Sequence, residues 1–209
     1  NTGMSVSGNY TMGNFTTNSY YLGYDDEYKT ESYLSRARYN FDDKYFVEAS
    51  FRRDGSSRFH PDHRWGNFYS IGASWNIIKE SFMQTYDWVN SLKLRVSYGE
   101  VGNDAGVNYY GYMALYNLDK NGGTGALTKK SLAADDIKWE TTQTVDLGVD
   151  GRLFDRLNID VNYYNRKTKN MLMSTPLAYT TGFSSMMLNV GQLTNNGVEV
   201  EVSYDAFRS

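Results

Sequence analysis

Seven stretches of this chain alternate apolar and polar residues with a period of two, and no helical period competes with them. In the first two, Tyr33, Ala37, Tyr39 and Phe41, then Tyr45, Val47, Ala49 and Phe51, share one face, with Arg36 and Arg38, then Glu48 and Arg52, on the other. The next two place Tyr69, Ile71, Ala73 and Trp75 opposite Ser70, Gly72 and Ser74, and Leu92, Leu94, Val96 and Tyr98 opposite Lys93, Arg95 and Ser97. The last three set Val145, Leu147 and Val149 against Asp146 and Asp150. They set Leu157, Ile159, Val161 and Tyr163 against Asp160 and Asn162, and Val198, Val200, Val202 and Tyr204 against Glu199 and Glu201. Such a pattern folds as half-buried β-strands. The longest uninterrupted apolar run, Tyr112 to Tyr116, is far short of the ~20 residues of a membrane helix. That excludes helical spans but not a membrane β-barrel, whose strands need only ~9–11 residues and are half polar.

The connections between these strands differ in length. Those at 42–43 and 154–156 are short; those at 55–67, 102–136 and 170–196 are long, the second being rich in Gly and Tyr and the third irregular. The 78–91 link is of intermediate length and departs from this rule. Short turns on one side and long loops on the other are the plan of an outer-membrane barrel. The composition agrees. Leu, Ile, Val and Phe make up 43 of 209 residues, little for a soluble core, yet 16% of the chain is aromatic. Aromatics also sit near strand ends, as in the interfacial girdles of a barrel in lipid. Charged residues on the opposite face suit a wet lumen. A soluble carbohydrate-binding β-sandwich, with the charged face in solvent, remains the alternative.

Other classes are excluded. There is no Cys, hence no disulfide framework and no thiolate chemistry, and the only His residues are His60 and His63. A formal net charge of -3 argues against nucleic-acid binding. Residues 1–19 lack the basic start and apolar core of a signal peptide. No phosphate-binding G-x-x-x-x-G-K-[ST] loop and no G-x-S-x-G nucleophile elbow occurs, so no enzyme is expected. Seven strands are an odd number, bacterial single-chain barrels are even-numbered, and the chain closes on Phe207-Arg208-Ser209. Residues 1–209 therefore read as an interior fragment of a larger barrel.

Several motifs carry a family resemblance. Tyr39-Asn40-Phe41-Asp42-Asp43-Lys44-Tyr45 is a hairpin turn. Phe51-Arg52-Arg53-Asp54-Gly55-Ser56-Ser57-Arg58-Phe59 precedes Arg64-Trp65-Gly66-Asn67-Phe68-Tyr69-Ser70. Then come Gly72-Ala73-Ser74-Trp75-Asn76-Ile77, Glu80-Ser81-Phe82 and Ser91-Leu92-Lys93-Leu94-Arg95-Val96-Ser97-Tyr98-Gly99. Gly102-Asn103, Lys138-Trp139-Glu140-Thr141-Thr142, Asn189-Val190-Gly191 and Asn195-Asn196-Gly197-Val198-Glu199 follow. In order and spacing, over about 30–204, they resemble the SusC/RagA-like TonB-dependent outer-membrane transporters of Bacteroidota, with Tyr69 in place of that family's usual Pro. The resemblance implies an antiparallel up-and-down transmembrane barrel of about 22 strands, closed by a plug domain that, like the TonB box, lies outside these residues. It also implies a SusD-like surface lipoprotein as partner, energy from TonB, and import of oligosaccharides or peptides across the outer membrane without a cofactor. A siderophore or cobalamin receptor is the alternative within the same architecture.

Candidate sites are few. His60-x-x-His63 with Asp62 has loose metal-ligand spacing in a loop and reads as solvated. Asp119-Lys120-Asn121-Gly122 opens like a calcium loop, but its twelfth position is Lys130, so no metal site is expected. Asp25-Asp26-Glu27, Asp42-Asp43 and Asp135-Asp136 read as turn formers. Tyr109, Tyr110, Tyr112 and Tyr116, four rings within eight residues of a Gly-rich loop, are the candidate site for substrate or lid lipoprotein, with loop packing as the alternative. In the Arg53–Phe59 motif, Gly55 is expected to permit a turn and Asp54 to pair with Arg58. Val47, Ala49, Ile71, Ala73, Leu94, Val96, Val145, Leu147, Ile159, Val161, Val198 and Val200 are expected to face lipid. The short turns are expected at the periplasmic end, the long loops outside.

Overall fold

The computed structural model describes residues 25–122 and 124–206. The readings made above on 1–19 and on Phe207-Arg208-Ser209 lie outside the described residues. In chain order the strands are β1 (Thr30–Phe41), β2 (Tyr45–Ser56), β3 (Trp65–Asn76), β4 (Val89–Asn103), β5 (Tyr116–Asn121), β6 (Thr124–Lys129), β7 (Glu140–Leu153), β8 (Leu157–Lys169), β9 (Leu172–Pro176), β10 (Ser185–Asn189) and β11 (Gln192–Tyr204). Seven form one sheet in the order β1-β2-β3-β4-β7-β8-β11, every neighbouring pair antiparallel. These are the seven alternating stretches, each neighbouring in space the one that follows it in sequence, as in an up-and-down barrel wall.

Register settles which residues share a face, because directly opposed residues point the same way. Tyr39 opposes Val47, which opposes Ala73, which opposes Val96, which opposes Leu147, which opposes Tyr163, which opposes Val198. A single apolar belt thus crosses all seven strands. One residue on, Arg38 opposes Glu48, Ser97 opposes Asp146, Asp150 opposes Asp160, and Asp160 opposes Glu201. Among the described residues no second layer covers the apolar belt: Ile71 is 55% exposed, Val96 43% and Val200 62%. A sandwich would bury this face against a second sheet.

The two short turns share one geometry. Asp42 and Asp43 have φ of 51° and 49°, Phe154 and Asp155 of 53° and 56°, and Lys44 and Arg156 donate backbone hydrogen bonds to Phe41 and Leu153 at 3.0 and 3.1 Å. Left-handed backbone at both central residues matches the twist of the flanking strands, and Asp adopts it readily. Asn40 reinforces the first turn, its Oδ1 accepting the Asp43 N–H at 3.1 Å. At this end Phe41 stacks on Tyr45 and Tyr45 on Trp75, with ring centres 6.4 and 6.3 Å apart, and Trp88 stacks on Phe154 at 5.4 Å. The intermediate link forms two short 3₁₀ turns, Ile77–Lys79 and Ser81–Thr85. They carry Glu80 to the same girdle, where its carboxylate accepts from the Tyr45 hydroxyl at 2.7 Å and the Trp75 indole at 3.1 Å.

The long connections are more ordered than their sequences suggest. The 102–136 segment contains the hairpin β5–β6, and the 170–196 segment contains β9–β10. The 55–67 connection shrinks to 57–64 because β2 runs on to Ser56 and β3 begins at Trp65. Five- and six-residue strands carry too few alternations to stand out, and Asp119, Lys120 and Asn121 have poor strand propensity. The only compact apolar cluster among the described residues, Phe59, Val107, Ala134 and Ile137, lies among these loops.

Candidate binding site at the long-loop end

The Arg53–Phe59 motif organises this end, though not as its sequence suggests. Gly55 makes no turn. It lies inside β2, opposed by Glu31 on one side and Trp65 on the other. Asp54 pairs with Arg52 at 2.8 Å, two residues away on the same face of the strand, and not with Arg58. Because the strand continues past Gly55, Arg58 is carried over the end of the sheet to the segment that follows β4. There its Nη1 donates to the Asp104 carbonyl at 2.8 Å, and its guanidinium lies 4.6 Å from the Tyr28 ring centre and 5.3 Å from that of Tyr109. Tyr28 and Tyr109 stack at 5.5 Å, and the Tyr28 and Ser56 hydroxyls both donate to Asp104 Oδ2, at 2.9 and 2.7 Å. Burial, and then the hydrogen bond to the Asp104 carboxylate, push the Tyr28 phenol above its usual range. Ser57 and Lys29 exchange two hydrogen bonds, at 2.9 and 3.0 Å, so the approach to β1 is fastened to the motif. Phe59 is fully buried in the loop cluster and packs against Trp139, ring centres 5.3 Å apart.

The four candidate tyrosines do not act as one surface. Tyr109 is engaged by Tyr28 and Arg58, Tyr110 accepts the Glu27 N–H at 2.8 Å, and Tyr112 packs on the buried cluster with its ring edge-on to His60 at 5.7 Å. Tyr116 opens β5 and is 52% exposed. Tyr109 and Tyr110 do line a cavity of about 610 Å³ with the 130–134 segment and the β9–β10 hairpin. A second concavity, of about 460 Å³, lies on the polar face between Leu34, Arg52, Phe68, Glu100 and Trp139. The Phe68 ring fills the space above Gly102, where a Cβ would come within 2.0 Å of it. Neither cavity was foreseen from sequence, because the hairpin and loops that wall them meet only in the fold.

His60 Nδ1 lies 3.3 Å from Asp62, and His63 Nε2 lies 4.0 Å from Asp136. Among the described residues no three His, Cys, Asp or Glu side chains gather as they would to hold a metal ion. Asp119 Oδ1 accepts the Lys120 N–H, and its segment closes the β5–β6 hairpin in place of a calcium loop. On the polar face Arg95 donates to both Asp150 oxygens at 2.6 and 2.7 Å and reaches Asp160 at 3.3 Å and Asn162 at 3.1 Å. Arg36 and Arg38 both grip Glu48. These charges are paired across strands, as a wet lumen wall requires.

Comparison with known proteins agrees with this architecture. Residues 2–209 match the family described as TonB dependent receptor-like, beta-barrel. TonB-dependent receptor P39 of Formosa agariphila is 38% identical over 181 residues, covering 85% of this chain and 17% of the relative. TonB-dependent receptor SusC of Bacteroides thetaiotaomicron is 33% identical over 181 residues, covering 82% of this chain and 18% of the relative. The chain thus spans under a fifth of the length of these relatives. A structure of the RagAB peptide importer in a closed-closed state superposes with a TM-score of 0.81 at 32% identity, over 87% of this chain and 20% of that one. The siderophore receptor PirA of Pseudomonas aeruginosa shares the fold, with a TM-score of 0.56 at 14% identity over 84% of this chain and 31% of that one. A single antiparallel sheet with one uncovered apolar face, short turns at one end, folded loops at the other, and a family match across nearly its whole length place the chain in the TonB-dependent receptor β-barrel family.

Proposed function

We propose that this chain is a section of the barrel wall of an outer-membrane transporter that imports oligosaccharides or peptides. In this reading it works with a SusD-like lipoprotein over the extracellular mouth and draws energy through TonB. The carrying observation is the register: one apolar belt runs unbroken across seven strands while charged and polar residues line the opposite face. Lipid is the solvent that suits the first face, and a water-filled, plugged lumen suits the second. The likeness to SusC and to the RagAB peptide importer supports uptake of glycans or peptides over uptake of siderophores. That Tyr109 and Tyr110 line the cavity at the long-loop end supports a role for them in meeting what enters. No step of this role breaks or makes a covalent bond, so no catalytic residue is assigned.

The test uses the full-length protein in its own cells. It is expected to fractionate with the outer membrane, to co-purify with a SusD-like lipoprotein, and to support growth on its substrate only while TonB is present. Growth unchanged on deletion of TonB would contradict the transport reading.

A further inference from the structure

The face that carries the apolar belt also carries charge, but only beyond one edge of the belt. Within the seven strands, the charged side chains on that face are Glu31, Arg53, Glu100, Lys167 and Lys169, and all of them lie toward the long loops. The edge they stand above is inclined. Ile71 opposes Tyr98 and Tyr98 opposes Val145, but Val145 opposes Asn165. The apolar run therefore ends at Tyr69 on β3, at Val145 on β7 and already at Tyr163 on β8. An edge that steps down the strands across the sheet is what a flat lipid boundary draws on tilted strands. On β8 the same face continues past this boundary through Asn165 to Lys167 and Lys169.

The other charges on this face are engaged. Glu31 accepts the Tyr33 hydroxyl, the Arg53 guanidinium lies 5.1 Å from the Trp65 ring centre, and Glu100 accepts from Gln143 Nε2 at 2.6 Å and from the Tyr98 hydroxyl at 2.5 Å. Lys167 and Lys169 are not: among the described residues neither ammonium has a hydrogen-bond or ion-pair partner. Two residues apart on one face of a strand, they stand about 7 Å from each other along it. Across the ladder Lys167 is flanked by Gln143 and Thr194, and Lys169 by Thr141 and Gln192. No carboxylate opposes either lysine, and every flanking side chain can donate a hydrogen bond. Below them on the same face lie Tyr163 and Val161, with Val198 opposite Tyr163. A pair of cations directly above a lipid-facing column matches an amphiphile with an anion at one end and acyl chains at the other. Resting on the transporter reading above, we infer that Lys167 and Lys169 bind the phosphate of a glycolipid in the outer leaflet, whose acyl chains lie along Tyr163, Val161 and Val198. A substrate in water meets the loops or the lumen; what meets this face is lipid.

The experiment uses the purified full-length transporter with its lipoprotein, in detergent, and native mass spectrometry to count bound lipid. Three probes are titrated: lipid A, the same glycolipid after removal of its phosphates, and inorganic phosphate. The parent protein is expected to bind lipid A at least roughly fivefold more tightly than the dephosphorylated lipid, the order expected for basic residues at an anionic surface. Inorganic phosphate is expected neither to bind nor to displace it. The double variant Lys167→Gln, Lys169→Gln should carry one lipid A fewer than the parent, and Lys167→Arg, Lys169→Arg should keep it. The comparison of probes on the parent protein tests the site even if a variant disturbs folding. Equal binding of the two glycolipids, displacement by inorganic phosphate, or an unchanged lipid count in the Gln variant would each overturn the inference. Those results leave the transporter reading standing, which fails separately if the parent protein is absent from the outer membrane or import proceeds without TonB.

Discussion

The indole of Trp65 lies across the α-carbon of Gly55 on the neighbouring strand: a Cβ built on Gly55 would sit 2.9 Å from the ring. The glycine lets an aromatic ring cover a strand position that would otherwise leave backbone bare, and the guanidinium of Arg53, two residues earlier on the same strand as Gly55, lies 5.1 Å from the ring centre.

Gly55→Val is therefore expected to destabilise the barrel by about 1–3 kcal/mol through overpacking. Thermal unfolding in detergent, read by loss of the heat-modifiable gel shift, checks it. Gly72→Ala, where the nearest atoms lie 3.8 Å from the added carbon, should change little.

Neighbouring residues on one strand should respond oppositely to charge. Val96 is on the apolar belt and Ser97 on the polar face beside Asp146. Val96→Arg is expected to cost about 2–4 kcal/mol at mid-depth in a bilayer. Ser97→Arg, facing a carboxylate, should be near neutral. Denaturant titration of refolding into lipid vesicles measures both.

The strands were legible because alternation is a local code, and the Tyr45, Val47, Ala49, Phe51 set shows it with no reference to the rest of the chain. The hairpins β5–β6 and β9–β10 were not, since five or six residues give too short a period to read. The candidate site was legible only in part. Four close tyrosines drew attention to one loop, but Tyr109 lies against Tyr28, 81 positions away, and no local pattern reports such a contact. Arg58 shows the same limit: Asp54 is its obvious partner in sequence, and continuation of β2 puts Asp104 there instead.

Acid should loosen the short-turn end first. The hydroxyl of Tyr45, then the indole of Trp75, with Lys44 nearby, hold the Glu80 carboxyl below the usual carboxylate range. A group whose folded pKa is depressed stabilises the fold above its unfolded pKa and loses that contribution as pH falls through the folded one. Stability is thus expected to decline below about pH 4. Glu80→Gln, which keeps an acceptor for both donors and lacks the titration, should flatten that part of the profile. Tryptophan fluorescence across an acid titration reports it, and an identical acid limb in both proteins would remove Glu80 as the cause.

Replacing Tyr109, Tyr110, Tyr112 and Tyr116 together by Ala is expected to weaken ligand capture or docking of the lipoprotein while barrel insertion persists, since none of the four lies within the seven-stranded sheet. Each ring should account for on the order of 1 kcal/mol. Co-purification of the lipoprotein and peptide binding, measured side by side, separate the two roles. Wild-type levels of both would reduce the cluster to loop packing.

The orientation of this sheet in the outer membrane is open to one direct measurement. The chain contains no Cys, so a single cysteine placed in it reports alone from these residues. Intact cells carrying the full-length protein with Asp43→Cys or Leu127→Cys would be treated with a membrane-impermeant maleimide. Asp43 sits in a short turn and Leu127 on the β5–β6 hairpin, 58% exposed. Cysteine at 127 is expected to be labelled from outside, and cysteine at 43 only after the cells are opened. Labelling of position 43 on intact cells with position 127 protected would contradict the barrel orientation on which the transport reading rests.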